Sequence, residues 1–190
     1  MTLRALSCII IAAAAISCTN TGNQAPVPRK VAYPRVELYD STYVNVTGLP
    51  VMFAVNSSTG VKINEKSAGT YWINIDYFRY GATVRLTLQM LPKQEIAAAI
   101  ANRMERAMLD TGGYPTELTE LTSPSGVAST IMLTPSATVT PLHFIATDSA
   151  TFVLSGAVQF KSTDIEANTP AVNAIHADLL HAAKTITPRP

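Results

Sequence analysis

The chain has 190 residues, of which 47% are hydrophobic and 14% charged, with a formal net charge of +1. That is too apolar for a disordered chain. It also lacks the basic face that nucleic-acid phosphates require and any polybasic run for anionic lipid.

The start reads as an export signal. Met1–Arg4 is a short positive region, and Ala5–Ile16 is an apolar stretch of signal-peptide length, too short to span a bilayer. Ala15-Ile16-Ser17-Cys18 resembles a bacterial lipobox, with Ala15 standing where Leu is commonest. Residues 1–17 are therefore expected to be a lipoprotein signal peptide and Cys18 the site of lipid attachment. Cys8 would leave with the signal, so the mature chain would hold one cysteine and no disulfide. Each buried methylene contributes about 0.8 kcal/mol, so two or more acyl chains anchor stably. Thr19 follows the cysteine with no acidic cluster after it, which by resemblance to lipoprotein sorting signals implies the outer membrane and a periplasm-facing domain. Residues 18–32 are polar, contain Pro26 and Pro28, and read as a flexible tether.

A single domain is expected over residues 33–188. Arg35–Tyr39 begins an extended segment. Leu49–Val55 is a short buried strand, and Val61–Asn64 a short edge strand. Tyr71–Leu91 then alternates strictly: Tyr71, Ile73, Ile75 and Tyr77 on one arm, Val84, Leu86, Leu88 and Met90 on the other. With residues 78–81 as the loop, Ile75 faces Val84, Ile73 faces Leu86, Asn74 faces Arg85, and Asp76 lies diagonal to Arg85. A slip of one residue would send the apolar set into water, so this register is strongly specified.

Pro92 and Glu95 open a helix. Its apolar stripe is Ile96, Ile100, Met104 and Met108 with Ala97, Ala101 and Ala107 beside them, Asn102, Arg103, Glu105 and Arg106 lie outside it, and Gly112-Gly113 stops it. Val127–Leu133 is a strand. Leu142–Thr147 and Phe152–Phe160 form a second hairpin about Asp148-Ser149-Ala150, with Gly156 marking a bulge or a close approach. A last helix is expected over Pro170–Ile186, capped by Asn168 or Thr169, burying Val172, Ile175, Leu179, Ala182, Ala183 and Ile186. Hairpins, shorter strands and two single-stripe helices give an α+β fold, a mainly antiparallel twisted sheet flanked by two helices. Thr83, Arg85, Thr87 and Gln89 lie on its exposed face unless a helix covers them.

Chemistry is sparse. His143 alternates to the face opposite Phe144. His176 and His181, about 140° apart around a helix, make a poor metal pair, and Asp178 can pair with His181 on a solvated face. Asp148-Ser149 beside His143 suits a turn better than a hydrolase. No phosphate loop, nucleophile elbow or zinc-protease helix occurs. No catalytic residue, metal site or cofactor is therefore expected. The aromatics carry more. Trp72 and Phe78 sit on the Asn74/Asp76 face, with Arg79 and Tyr80 at the hairpin tip. Unless a second layer covers them, these four form a candidate partner surface.

Several blocks resemble the gliding-motility lipoprotein GldD family of the Bacteroidota: Tyr71–Tyr77 running into Ala82–Leu88, Leu142–Phe160, and the last helix AIHADLLHAAKTI. Tyr33-Pro34-Arg35 resembles the Pro-Arg-Gly-Tyr segment at the start of the family's domain, without its Gly and Tyr. The block order is also similar to the PsbP/Mog1 fold, a likeness of fold alone. The resemblance implies a non-enzymatic accessory to gliding motility or type IX secretion. Its partners would be the membrane, through the N-terminal lipid, and other gliding or secretion lipoproteins. The alternative is a small-ligand or cell-wall-binding lipoprotein with a cleft between sheet and helices, for which a pocket lined by Trp72, Tyr77 and Tyr80 would speak.

Overall fold

The computed structural model describes residues 39–137 and 139–189. The signal peptide, Cys18, the tether and the Tyr33-Pro34-Arg35 segment lie outside the described residues.

The architecture is α+β, as the patterning predicts. Seven antiparallel strands form one sheet in the order β4-β5-β6-β10-β9-β8-β7. Its strands are β4 (Gly60–Ser67), β5 (Thr70–Tyr77), β6 (Ala82–Met90), β7 (Glu117–Thr122), β8 (Ala128–Leu133), β9 (Leu142–Thr147) and β10 (Phe152–Phe160). Two helices, α1 (Lys93–Asp110) and α2 (Ile165–Thr185), flank it. Short strands β1 (Tyr43–Asn45) and β3 (Ala54–Asn56) pair with each other, as do β2 (Val51–Met52) and β11 (Thr187–Pro188).

The central hairpin has the expected register: Ile75 opposite Val84, Ile73 opposite Leu86, Asn74 opposite Arg85. A 3₁₀ turn, Phe78–Tyr80, joins its arms, and Gly81 closes the turn at φ +59°. The second hairpin matches its sequence bounds. Gly156 marks a close approach: a Cβ there would stand 1.9 Å from the backbone oxygen of Arg85 on β6. The two hairpins join through β6 and β10, with Leu88 opposite Leu154 and Val84 opposite Val158. Leu142, Phe144, Ala146 and Ile131 continue this apolar face, and Val172, Ile175, Leu179 and Ala183 of α2 complete the core with it. Burying each such side chain contributes about 1.5–3 kcal/mol.

Several expectations need correction. The stretch Leu49–Val55 is two strands, because β2 pairs with β11 while β3 pairs with β1; Phe53 between them is buried. β4 runs the full length of β5, with an irregularity between Glu65 and Ser67. β7 has no strong apolar periodicity because it is an edge strand whose Leu118 points outward, 54% exposed.

Helix α2 begins five residues early. The Asp164 side chain accepts the Ala167 N–H at 3.0 Å and caps it. Pro170 thus lies in the second turn, where it forgoes one backbone hydrogen bond.

Helix α1 buries only part of the predicted stripe, and Met108, Ala97 and Ala101 fall outside it. Ile96 and Ala107 are fully buried, Ile100, Arg103 and Met104 half-buried, and Met108 53% exposed. A four-residue step overshoots a full turn by about 40°, so three such steps carry Met108 about 120° away from Ile96.

Candidate functional site

Every residue of β9 is buried, so both faces of the sheet are covered at its centre. The Phe144 face meets α2 and the N-terminal strands, whereas His143 and Ile145 look toward Arg103, Ala107 and Asp110 of α1. The cover provided by α1 does not extend to β4 and β5. The face of β5 carrying Trp72, Asn74 and Asp76 therefore stays open, beside Lys62 and Asn64 of β4.

Of the four predicted surface residues, Trp72 is 44% and Phe78 68% exposed. Lys66 places its ammonium 4.4 Å from the Trp72 ring centroid, a cation–π contact that covers one face of the indole. Phe78 leans over Gly60, where a Cβ would come within 2.7 Å of the ring. Between these aromatics Asp76 accepts from Thr83 Oγ1 at 2.9 Å and Lys62 Nζ at 3.3 Å. Those contacts, the Thr83 bond foremost, hold its carboxyl below the usual range. The diagonal Arg85 is not its partner.

The hairpin tip divides. Arg79 is exposed, with its guanidinium 5.3 Å from the Tyr39 ring centroid and its N–H donating to the Tyr39 hydroxyl at 3.1 Å. Tyr80, by contrast, is buried at 9% exposure, and its hydroxyl accepts from the Tyr39 N–H at 3.1 Å. The structure thus groups Trp72, Phe78 and Arg79 toward solvent and turns Tyr80 into the core.

Tyr80 belongs instead to a cluster that sequence reasoning missed. Tyr39, Tyr77 and Tyr80 place their ring centroids 4.9–5.9 Å apart, a spacing typical of favourable aromatic pairs. Beside them Asp178 is buried, accepting from Tyr77 Oη at 3.0 Å and from Tyr43 Oη at 2.8 Å. Burial, and then the Asp178 carboxylate, push the Tyr43 hydroxyl up to about 12. The same causes raise Tyr77 further. His181 stacks on Tyr43 at 3.7 Å between centroids. The Asp178–His181 pairing on a solvated face is thereby overturned: the tyrosines take the carboxylate, and the histidine takes a ring. A cavity of about 150 Å³ opens against Tyr39, Tyr43, Tyr80 and Asp178. Trp72 lies on the other face of the sheet, so Trp72, Tyr77 and Tyr80 do not line one pocket.

Ser149 sits in the turn at φ +58°. Asp148 beside it accepts from the N–H groups of Ala150, Thr151 and Phe152 and from the Thr151 hydroxyl. The pair is a turn device, as expected. Among the described residues no group of three or more His, Cys, Asp and Glu could hold a metal ion, and no helix is long and apolar enough to cross a membrane.

These features define an α+β domain with a half-open sheet face that presents aromatic side chains, and a tyrosine–carboxylate cluster within. The chain belongs to the gliding motility lipoprotein GldD family, which matches residues 23–187. Membership makes it a membrane-associated lipoprotein of the cell envelope, connected with gliding motility. No curated protein matches it in sequence.

Proposed function

We propose that the protein is an outer-membrane lipoprotein, processed after residue 17 and anchored through Cys18. Residues 18–32 would be its tether, and residues 33–188 a single domain facing the periplasm. It acts without catalysis, as an accessory to gliding motility or type IX secretion, by binding or stabilising other envelope lipoproteins of that machinery. The open sheet face is the docking surface, with Trp72 and Phe78 as anchors and Arg79 at its edge. The observation that carries this reading is the exposure of Trp72 and Phe78 on a face that α1 leaves uncovered. Large aromatics and arginine supply most of the energy at protein interfaces.

The test is photo-crosslinking in cells from position 72 or 78, with position 118 on the opposite edge strand as control. Capture of the same envelope protein from 72 and 78 but not from 118 is expected. Equal capture from all three, or none, would sink the surface assignment. Separately, Cys18→Ala should release the protein from membranes, since the acyl chains supply the affinity. A variant that still fractionates fully with membranes would refute anchoring by lipid alone.

A further inference from the structure

Helix α1 covers the centre of the sheet incompletely. Between it and strands β6, β9 and β10 lies a cleft of about 190 Å³. Arg103, Arg106 and Asp110 line it from the helix, and His143, Ile145 and Ser155 from the sheet. The cleft lies on the same sheet face as Trp72, whose register partner Thr87 lines it, but it does not depend on Trp72 and Phe78 being docking anchors.

Three buried nitrogens here, on His143 and Arg103, make no hydrogen bond. The His143 side chain is 5% exposed, and neither ring nitrogen makes a hydrogen bond. Asp110 Oδ2 lies 3.5 Å from Nε2, too long for a good hydrogen bond. Arg103 donates from Nη2 to Gln89 Oε1, but its Nε is buried and unbonded. Burying such groups unsatisfied is costly, so native interiors rarely do so without an occupant.

Charge indicates the occupant. Two guanidinium groups line the cleft, and no carboxylate among the described residues lies within 4.0 Å of either. Asp110 supplies the one negative charge and is itself 61% exposed. Two guanidinium groups against one carboxylate leave the lining with a single net positive charge, which an anion of single charge balances. Burial, against the pull of Asp110, holds the His143 imidazole below its usual value. The ring therefore enters at neutral pH as a neutral donor. Ile145 gives the cleft an apolar wall suited to a short hydrocarbon tail.

We propose that this cleft binds a small carboxylate, which accepts from Arg103 Nε, the Arg106 guanidinium and a His143 ring N–H. Arginine suits the role because its planar fork matches carboxylate geometry.

The experiment is a titration of the full chain with butyrate, following the His143 ring resonances by NMR, with a parallel titration by inorganic phosphate. Saturable His143 shifts with butyrate are expected, with phosphate weaker. Arg106→Gln, at a helix surface where folding is not at stake, should weaken butyrate by about tenfold or more, the loss of one charge-assisted hydrogen bond. Arg103→Lys should do likewise, since lysine cannot present the Nε. Three results would overturn the proposal: no saturable shift, which would leave the cleft to water; unchanged affinity in both arginine variants; or phosphate binding more tightly than butyrate.

Discussion

Tyr77 Oη donates to Asp178 Oδ2 at 3.0 Å, joining residues 101 positions apart. This bond ties the end of β5 to the middle of α2, and Tyr43 adds β1 from the carboxylate's other oxygen. A buried carboxylate is stable only when its lone pairs are met. Tyr77→Phe removes one of the two tyrosine donors and should cost about 1–3 kcal/mol in urea denaturation. Asp178→Ala strands both hydroxyls and should cost at least as much. Losses below about 0.5 kcal/mol in both, the range of ordinary surface changes, would mean that the cluster is solvated.

The tip of the central hairpin gives a sharper contrast. Tyr80→Ala empties a buried site and should destabilise by about 3–5 kcal/mol, the range for buried aromatic truncation. Phe78→Ala and Trp72→Ala should each change stability by no more than about 0.5 kcal/mol, yet impair complementation of a deletion strain at matched protein level. Full complementation by the double variant Trp72→Ala, Phe78→Ala would count against the open face as the docking surface.

Gly156→Ala should be among the most damaging small substitutions. Its Cβ would overlap the Arg85 carbonyl, and backbone cannot swing aside as a side chain can. The β6–β10 pairing that joins the two hairpins would have to part. A loss above about 4 kcal/mol, or failure to fold, is expected. A variant with near-normal thermal unfolding would show that β6 and β10 sit farther apart.

Leu86 and Leu154 lie on the buried face, 4% and 1% exposed. Each truncation to alanine should cost about 2–5 kcal/mol, read as a shift in denaturation midpoint at constant slope.

Asp148 predicts a pH effect. Burial works to raise its carboxyl, but the hydrogen bonds from Thr151, Ala150 and Phe152 prevail and hold it below the usual value. A depressed folded value means that the unfolded chain binds the proton more readily. Its contribution is therefore complete above the unfolded carboxylate value of about 3.9 and declines as pH falls toward the folded value. Asp148→Asn should be less stable than the parent at pH 7, by about 1 kcal/mol for a partly exposed turn, and the gap should narrow below pH about 4. A gap independent of pH would assign the effect to turn geometry alone.

The sequence by itself determined both long hairpins and the identity of the buried face. Strand side chains alternate with period two, so Ile73, Ile75, Val84 and Leu86 can share the core in one register only. It also determined the apolar stripe of α2, whose predicted residues Val172, Ile175, Leu179, Ala182 and Ala183 are all buried, as is Ile186 just past the helix end, and the family, through blocks of residues that are structural. Tertiary structure alone decided the rest. Asp178 reads as a solvated helix residue until Tyr43 and Tyr77, distant in the chain, donate to its carboxylate and so permit its burial. Tyr80 reads as a surface anchor until the Tyr39 backbone donates to it. Arg103 reads as the outer face of α1 until the sheet beneath offers Gln89. In each case the deciding partner lies on another element, and local periodicity carries no information about which polar group will be waiting there.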